Sequence, residues 1–356
     1  MNGGAQFVFQ ARLALALSYL TALIAVTGCK QSPADRLGPD VPAEGDLIAL
    51  IGPDRSDPRG PAIAGGARRF IASYPTLRLD TFLPADNTHG TLMRIVDKTL
   101  AAEPRVVCLY VTNPALGCSV ARKILKHNVA VVTIGLTVDI DQVFGHVHTD
   151  EAGAAELLGE HLMQIAAARR SYLFVHRRSA SAHDEKCYAR FMAKARFHHA
   201  LTLLEERDAA AFQQPAGAII RALFARFRHA GLAVTLDPTP WLETPPAQLL
   251  GREASFATCG AAPALWPYLK SGQAAALAGP IDGEIGALAA EIALIAMTDE
   301  RQAGLVRGVQ SELVTRASLD HFSRRYAEAA GTALDELVGP PLATEPTTTS
   351  APAQHP

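Results

Sequence analysis

The chain has 356 residues, of which 49% are apolar and 19% are charged, and its formal net charge is −2. These values are typical of a globular protein that buries a full core, and the length suffices for two domains. The near-neutral charge and the lack of a block rich in Lys and Arg argue against nucleic-acid binding.

The N-terminal segment has the layout of an export signal. Arg12 is the only charged side chain before an apolar stretch from Leu13 to Ala25, and small residues precede Cys29. The stretch is shorter than the roughly 20 residues that span a bilayer. Because Val-Thr-Gly-Cys resembles the bacterial lipobox, we expect residues 1–28 to be a lipoprotein signal peptide. Cys29 would then carry a lipid that holds the protein on a membrane outside the cytoplasm. An ordinary cleaved signal and an N-terminal anchor helix are the alternatives.

Two segments are poor in residues that could form a core. Residues 29–45 are rich in Pro, Gly, Asp and Ser and predict a tether. Residues 339–356 are rich in Pro and Thr and predict a disordered tail.

Between these segments, short apolar runs alternate with stretches of helical spacing. The first part predicts strands at 47–52, 77–83, 106–111 and 129–134 and helices at 58–73, 88–102 and 118–127. Continuous apolar runs separated by helices indicate parallel strands that are buried on both faces.

The alternation then restarts. It predicts strands at 171–175, 201–205, 232–236, 255–258 and 274–278 and helices at 151–167, 183–200, 215–229, 262–269 and 285–297. Ten or eleven strands are too many for one ordinary open sheet. We therefore predict an α/β fold of two doubly wound parallel-sheet lobes.

Three segments carry a family resemblance. They are Val106–Pro114 with Val129–Gly135, then Asp150–Leu158, then Cys259–Gly286, and Glu312–Thr315 resembles a final short strand. In this order they resemble the type I periplasmic binding proteins, which include ribose-type sugar-binding proteins and the ligand domains of bacterial repressors.

The resemblance implies two lobes joined by crossings near Thr149, Gly279 and Val309. The implied boundaries are 46–148 plus 280–308 for the N-terminal lobe, 149–279 plus 309–316 for the C-terminal lobe, and 317–338 for a C-terminal helix. The implied function is capture of a small polar ligand, sugar-like in the family, for an ABC permease by hinge closure. A periplasmic sensor that presents its ligand to a membrane receptor or histidine kinase is the alternative.

Ligands of open α/β sheets bind at the carboxyl ends of the strands. The polar residues in the loops that follow the strands are therefore candidate ligand-binding residues. The candidates are Asp54, Arg55, Asp57, Asn113, Thr137, Asp150, Arg177, Arg178, Asp237 and Trp241. Arg, Asp and Asn side chains form hydrogen-bond forks to hydroxyl groups, and Trp241 offers a face to a sugar ring. Helix capping by Asp150 and core packing of Trp241 are the competing interpretations.

The usual monosaccharide pocket of the family is not reproduced. The positions that match its polar residues are mostly small, and the first loop instead holds Asp54, Arg55, Asp57 and Arg59. Such a loop suits a charged or zwitterionic ligand.

Neither a metal site, a cofactor nor enzymatic activity is predicted. His146 and His148 alternate along a strand, but no third ligand has suitable spacing. Neither a Rossmann fingerprint nor a G-x-S-x-G motif occurs, so an exported hydrolase remains the weakest alternative.

The four cysteines after Cys29 lack Cys-x-x-Cys spacing, which argues against a zinc knuckle. They are Cys108, Cys118, Cys187 and Cys259. An exported protein permits disulfides, and three complete pairings are possible. The competing interpretation is that they are small, buried apolar residues.

Overall fold

The computed structural model describes residues 45–166, 171–199, 201–251, 253–298 and 303–337. Within these ranges the chain forms two six-stranded sheets with helices packed against them. The predicted α/β fold of two doubly wound lobes is therefore confirmed. The predicted signal peptide, Cys29, the tether up to residue 44 and the tail lie outside the described residues.

The first sheet contains β1 to β5 and β11, with every neighbouring pair parallel and the order β11-β5-β4-β3-β1-β2. Its strands are β1 Leu47–Ile51, β2 Arg78–Phe82, β3 Val106–Val111, β4 Ala130–Gly135, β5 Gly145–Thr149 and β11 Leu305–Val309. The connecting helices are α1 Gly60–Ile71, α2 His89–Leu100 and α3 Pro114–Leu125. All residues of β1 and β3 are buried, as expected for parallel strands covered on both faces.

The second sheet has the order β12-β10-β9-β8-β6-β7, in which only the β10–β12 pair is antiparallel. Its strands are β6 Ser171–His176, β7 Thr202–Asp208, β8 Leu232–Thr235, β9 Ser255–Cys259, β10 Ala274–Gly279 and β12 Glu312–Val314. The helices from residue 151 onward are α4 Glu151–Glu160, α5 Leu162–Ile165, α6 Ala182–Ala195, α7 Ala209–Phe212, α8 Ala216–Arg226, α9 Thr239–Glu243, α10 Pro246–Leu249, α11 Trp266–Ser271, α12 Asp282–Thr298, α13 Leu319–Ala330 and α14 Leu334–Leu337.

The chain passes between the two lobes after β5, after β10 and after β11. Helix α13 then packs against α1 and α12, which belong to the first lobe. On its other side, Phe322 and Tyr326 contact the ring of Trp266 from the second lobe, at centroid distances of 6.3 and 5.4 Å. The C-terminal helix therefore touches both lobes.

Helices α1 and α12 approach each other closely because glycines face each other. A Cβ atom on Gly66 would lie 1.8 Å from the carbonyl oxygen of Gly283. A Cβ atom on Gly286 would lie 1.8 Å from the carbonyl oxygen of Ile63. No side chain fits at either position unless the helices separate.

Within the described residues, none of the helices combines the length and the apolar character that a membrane crossing requires.

The cysteines at 108, 118, 187 and 259 are all free thiols, and none of the possible disulfides forms among them. Cys108, Cys187 and Cys259 are buried, whereas Cys118 is partly exposed. Burial raises the pKa of Cys108 to about 12. These buried thiols behave as small apolar residues.

Candidate ligand-binding cleft

A cleft of about 510 Å³ lies between the two lobes at the carboxyl ends of their strands. It is lined by the loop after β1, the first turns of α4 and α6, the β8–α9 segment, the loop after β9 and the β10–α12 crossing. Its volume lies within the roughly 300–1,000 Å³ range of small-molecule sites. Because loops of both sheets contribute, a molecule in the cleft would contact both lobes.

Small residues form the second-lobe floor of the cleft. Gly260 has a φ of +99°, and a Cβ atom there would lie 2.8 Å from Cγ of Pro238. A Cβ atom on Gly279 would lie 2.9 Å from the backbone nitrogen of Ala261. Glycine at 260 lets the end of β9 lie close to the β8 loop, and glycine at 279 lets the end of β10 lie close to the loop after β9.

The walls of the cleft are acidic. Among the described residues, seven carboxylates and one guanidinium line it, namely Asp54, Asp57, Glu151, Asp184, Asp237, Glu243 and Asp282 with Arg59. The lining residues in the described part of the chain include no aromatic side chain and no amide side chain.

The guanidinium of Arg59 is engaged on several sides. Its Nε lies 3.0 Å from Oδ1 of Asp57, and its Nη2 lies 2.7 Å from Oδ2. Nη1 lies 3.8 Å from Oε1 of Glu151, and Cζ lies 5.6 Å from the centre of the Tyr110 ring. Burial alone would raise the pKa of Asp57, but the hydrogen bonds and charge of Arg59 outweigh burial and lower it. Arg59 and Asp57 therefore form a fixed ion pair.

Asp282 is a buried carboxylate at the β10–α12 crossing. Its side chain is 4% exposed, and its Oδ2 accepts a 2.7 Å hydrogen bond from the hydroxyl of Tyr326. Burial raises the pKa of Asp282 to about 6, although the charge of Arg59 and the Tyr326 hydrogen bond oppose this shift. Asp282 is thus mostly ionised at neutral pH and titrates in the mildly acidic range.

Glu151 begins helix α4 at the β5 crossing and reaches the cleft. The hydroxyl of Thr149 donates a hydrogen bond to its Oε1. Its Oε2 is buried and has no hydrogen-bond partner within the described structure. An unpaired buried carboxylate oxygen is rare in proteins.

Three of the predicted ligand residues, Asp54, Asp57 and Asp237, line the cleft. Asp54 is held by the side-chain amide of Asn87, whose Nδ2 lies 2.6 Å from its Oδ2. Asp237 accepts hydrogen bonds of 2.9 and 2.6 Å from the backbone nitrogen and hydroxyl of Thr239. Neutral donors thus fix both carboxylates at the edge of the cleft.

Two of the other predicted residues are helix caps. Oδ1 of Asn113 accepts a 3.1 Å hydrogen bond from the backbone nitrogen of Leu116, and Oδ1 of Asp150 accepts one of 3.1 Å from Gly153. Neither residue lines the cleft. Capping satisfies backbone donors that the first helical turn leaves free, and this explains both side chains without a ligand.

The remaining polar candidates also lie outside the cleft lining. Arg55 is exposed, and its side chain donates a hydrogen bond to the backbone carbonyl of Leu83. The hydroxyl of Thr137 lies 3.5 Å from the ring of His146. Arg178 contacts the carboxylate of Glu185 and the ring of Tyr188. Arg177 borders a separate hollow of about 420 Å³ and approaches Asp237 to 3.6 Å.

The prediction that Trp241 provides a stacking face for a sugar is wrong. Its side chain is 0% exposed and stacks on Phe256 at a centroid distance of 4.2 Å. Its Nε1 donates a 2.8 Å hydrogen bond to Oγ1 of Thr235. Trp241 packs in the core of the second lobe, as the competing interpretation held.

Four acidic lining residues were absent from the predicted set: Glu151, Asp184, Glu243 and Asp282. Asp282 follows the end of β10 by three residues, so its position was a usable signal, whereas Asp184 lies in the first turn of α6. Glu151 and Glu243 fall at helix ends, where acidic residues are also common for local reasons.

The described residues contain no group of three or more His, Cys, Asp or Glu side chains arranged to hold a metal ion. The ring of His146 is 2.9 Å from the hydroxyl of Thr133, and His148 is exposed. Burial lowers the pKa of His146.

No protein-family model and no curated protein sequence matches this chain. Several solved structures do match in fold. A solute-binding protein of an ABC transporter from Agrobacterium vitis, bound to α-D-tagatopyranose, has a TM-score of 0.64 at 15% identity, covering 79% of this chain and 98% of its own. One from Actinobacillus succinogenes with bound D-allose has a TM-score of 0.64 at 12% identity, covering 78% and 99%.

The fold also occurs in a regulator. A LacI-type transcriptional regulator from Bacteroides fragilis has a TM-score of 0.62 at 12% identity, covering 78% of this chain and 99% of its own. These likenesses show that the chain has the two-lobed fold of the type I periplasmic binding proteins. At such identities they establish the fold alone.

Proposed function

We propose that this protein is a solute-binding protein that captures a small polar molecule in the cleft and delivers it to an ABC permease. The observation that carries the proposal is the cleft itself, about 510 Å³ in volume and lined by polar loops from both lobes. The similar structures from Agrobacterium vitis and Actinobacillus succinogenes hold their sugars as ABC transporter solute-binding proteins. The activity is binding without chemical conversion, and no cofactor takes part.

The mechanism is closure of the lobes around the solute. Asp54 and Asp57 follow β1 of the first sheet, and Asp237 follows β8 of the second. A solute that contacts both groups is held by more contacts in the closed form than in the open form. It therefore shifts the population toward closure, which a permease can recognise.

The proposed location follows from the N-terminal sequence. Residues 1–28 would direct export, and a lipid on Cys29 would hold the protein at a membrane outside the cytoplasm, with residues 30–45 as a tether. Labelling of cells with a radioactive fatty acid tests this: the wild-type protein should incorporate label, and the Cys29→Ser variant should not. Label-free wild-type protein would overturn the lipid anchor and leave the binding function standing.

A thermal-shift screen tests the binding function. Sugars, polyols, amino acids and amines are added at rising concentrations, and a true ligand should raise the melting temperature in proportion to the logarithm of its concentration. The Asp237→Asn variant should lose most of this shift. The matched variant Glu253→Gln, whose exposed side chain lies outside the cleft, should keep it. No stabilisation across the whole panel would overturn the proposal.

A further inference from the structure

We infer that the solute is a small organic cation, a molecule with at least one protonated amine on a short alkyl or polyhydroxyl body. This inference rests on the proposed function, because it names the chemical class of the molecule that the cleft binds. It follows from three features of the described residues that line the cleft. Most of the charged ones are carboxylates, the guanidinium of Arg59 is already paired with Asp57, and none has an aromatic side chain.

The cleft has a large excess of negative charge. Against seven carboxylates it presents one guanidinium, that of Arg59, which is already bound to Asp57 and close to Glu151. Asp237 has Arg177 at 3.6 Å outside the cleft. Among the described residues, the other four lining carboxylates have no Lys, Arg or His partner within 4.0 Å; they are Asp54, Asp184, Glu243 and Asp282.

An anionic solute is disfavoured by this arrangement. Binding it would bring its charge close to several carboxylates of the same sign, and the single charge of Arg59 is already shared by Asp57 and Glu151. A low-dielectric cleft lined by one sign of charge concentrates solutes of the opposite sign. The charge of the cleft therefore selects for cations.

The carboxylates are divided between the lobes. Asp54 and Asp57 belong to the first lobe, and Asp184, Asp237 and Glu243 to the second. Closing the empty cleft would bring these like charges together, which costs free energy. An ammonium group between them removes that cost, so a cation couples its own binding to closure.

Two features favour an organic amine over a metal ion. The described residues contain no group of three ligands that could converge on one metal, so the carboxylates are spread along the cleft. The second-lobe wall also presents Leu236, Pro238 and Leu242, which suit an alkyl or ring carbon surface.

A neutral sugar fits less well. The carboxylates can accept hydrogen bonds from sugar hydroxyls, but a neutral sugar leaves their charge uncompensated and is normally also held by an aromatic face against its C–H surface. The lining residues in the described ranges offer no aromatic and no amide side chain. The ammonium group of an amino sugar or an alkyl diamine would pair with the carboxylates that line the cleft.

Matched pairs of solutes test the inference by isothermal titration calorimetry on the full chain. The pairs are putrescine with 1,4-butanediol and glucosamine with glucose, and gluconate serves as an anion. We expect at least one amine to bind about tenfold or more tightly than its neutral partner, a difference of about 1.4 kcal/mol. Binding should weaken when NaCl is raised from 0.05 to 0.5 M, as screening predicts.

Single substitutions complete the test. Asp54→Asn and Asp237→Asn should each weaken the amine about fivefold or more with little change in the melting temperature of the free protein, while Glu253→Gln should leave binding unchanged. Equal or tighter binding of the neutral partner, or binding of gluconate, would overturn the cation inference and leave the proposed function intact. Failure of every compound in both calorimetry and the thermal-shift panel would overturn both.

Discussion

The hydroxyl of Tyr326 donates a 2.7 Å hydrogen bond to Oδ2 of Asp282, and both side chains are almost completely buried. Tyr326 lies on the C-terminal helix α13, and Asp282 is the first residue of α12, directly after the chain leaves β10. The ring of Tyr326 also contacts Trp266 at a centroid distance of 5.4 Å. This contact joins the C-terminal helix, one crossing and the second lobe at the wall of the cleft.

Replacing Asp282 by Asn should stabilise the free protein at neutral pH. Burial raises the folded-state pKa of Asp282 to about 6 from an ordinary value of 3.8, so its ionisation opposes folding. The penalty is absent below the unfolded-state pKa, grows as pH rises, and is complete above about 6. Asn keeps an acceptor for Tyr326 and has no charge. Relative to wild type, the variant should gain about 2 kcal/mol between pH 4.5 and 7.5.

Urea denaturation of both proteins at the two pH values measures this difference. The comparison cancels the titration of all other groups that the substitution does not affect. An exposed control, Asp320→Asn, should not be stabilised in this way at pH 7.5. A stability difference between wild type and Asp282→Asn that stays constant with pH would contradict the assigned titration.

The affinity for a cationic solute should fall as pH falls through about 6. A bound ammonium favours the ionised form of Asp282, and protonation removes one of the charges that attract it. The Asp282→Asn variant should bind more weakly at pH 7.5 and show a flatter dependence between pH 5 and 7.5. Calorimetry at four pH values checks this, and a wild-type affinity that rises on acidification would contradict it.

Gly66→Ala should destabilise the protein strongly. The added Cβ would lie 1.8 Å from the carbonyl oxygen of Gly283, so helices α1 and α12 would have to separate. Overpacking of this kind typically costs about 1–3 kcal/mol and sometimes more. The matched variant Gly90→Ala adds a Cβ with nothing within 4 Å at an exposed position in the first turn of α2, and should leave stability unchanged or raise it slightly. Equal effects in thermal denaturation would contradict the close approach.

Trp241→Phe should lower stability without changing solute affinity. The variant loses the 2.8 Å hydrogen bond to Thr235 and part of the stacking on Phe256, at a cost of about 1–3 kcal/mol. Because Trp241 is fully buried, its ring does not meet a molecule in the cleft. Urea denaturation measures the first effect and calorimetry the second. A large loss of affinity at unchanged stability would place this ring in the site after all.

The thiols should differ sharply in reactivity. Cys118 is partly exposed, whereas Cys108, Cys187 and Cys259 are buried and their thiol pKa values are raised by burial. In a Cys29→Ser background at pH 8, Ellman's reagent should show one fast thiol, and the Cys118→Ser variant should lose this fast phase. Several fast thiols in the native protein would contradict the described burial.

The strands of the core were predictable because a strand that is buried on both faces is a continuous apolar run in the sequence. β3, for example, is a continuous apolar run that was located to the residue at Val106–Val111. β11 was not predicted, because it lies at the edge of the first sheet and three of its residues are exposed. α3 begins at Pro114, four residues before the predicted start, because Asn113 caps it and proline is well tolerated in its first turn.

The site was harder to predict than the fold. Strand-end position nominated Asp54, Asp57 and Asp237 correctly as cleft-lining residues, but it nominated the capping residues Asn113 and Asp150 by the same reasoning. Local sequence does not separate a carboxylate that caps a helix from one that faces a cleft. The acidic character of the cleft arises from residues far apart in the chain and becomes visible only in three dimensions.

The decisive measurement is a crystal structure of the protein grown with the amine that binds most tightly. We expect a closed form with the solute between the lobes, its ammonium within hydrogen-bonding distance of a first-lobe carboxylate such as Asp54 and its other end near Asp237. A solute bound on the surface of one lobe, or in the hollow beside Arg177 with the cleft left open, would contradict it.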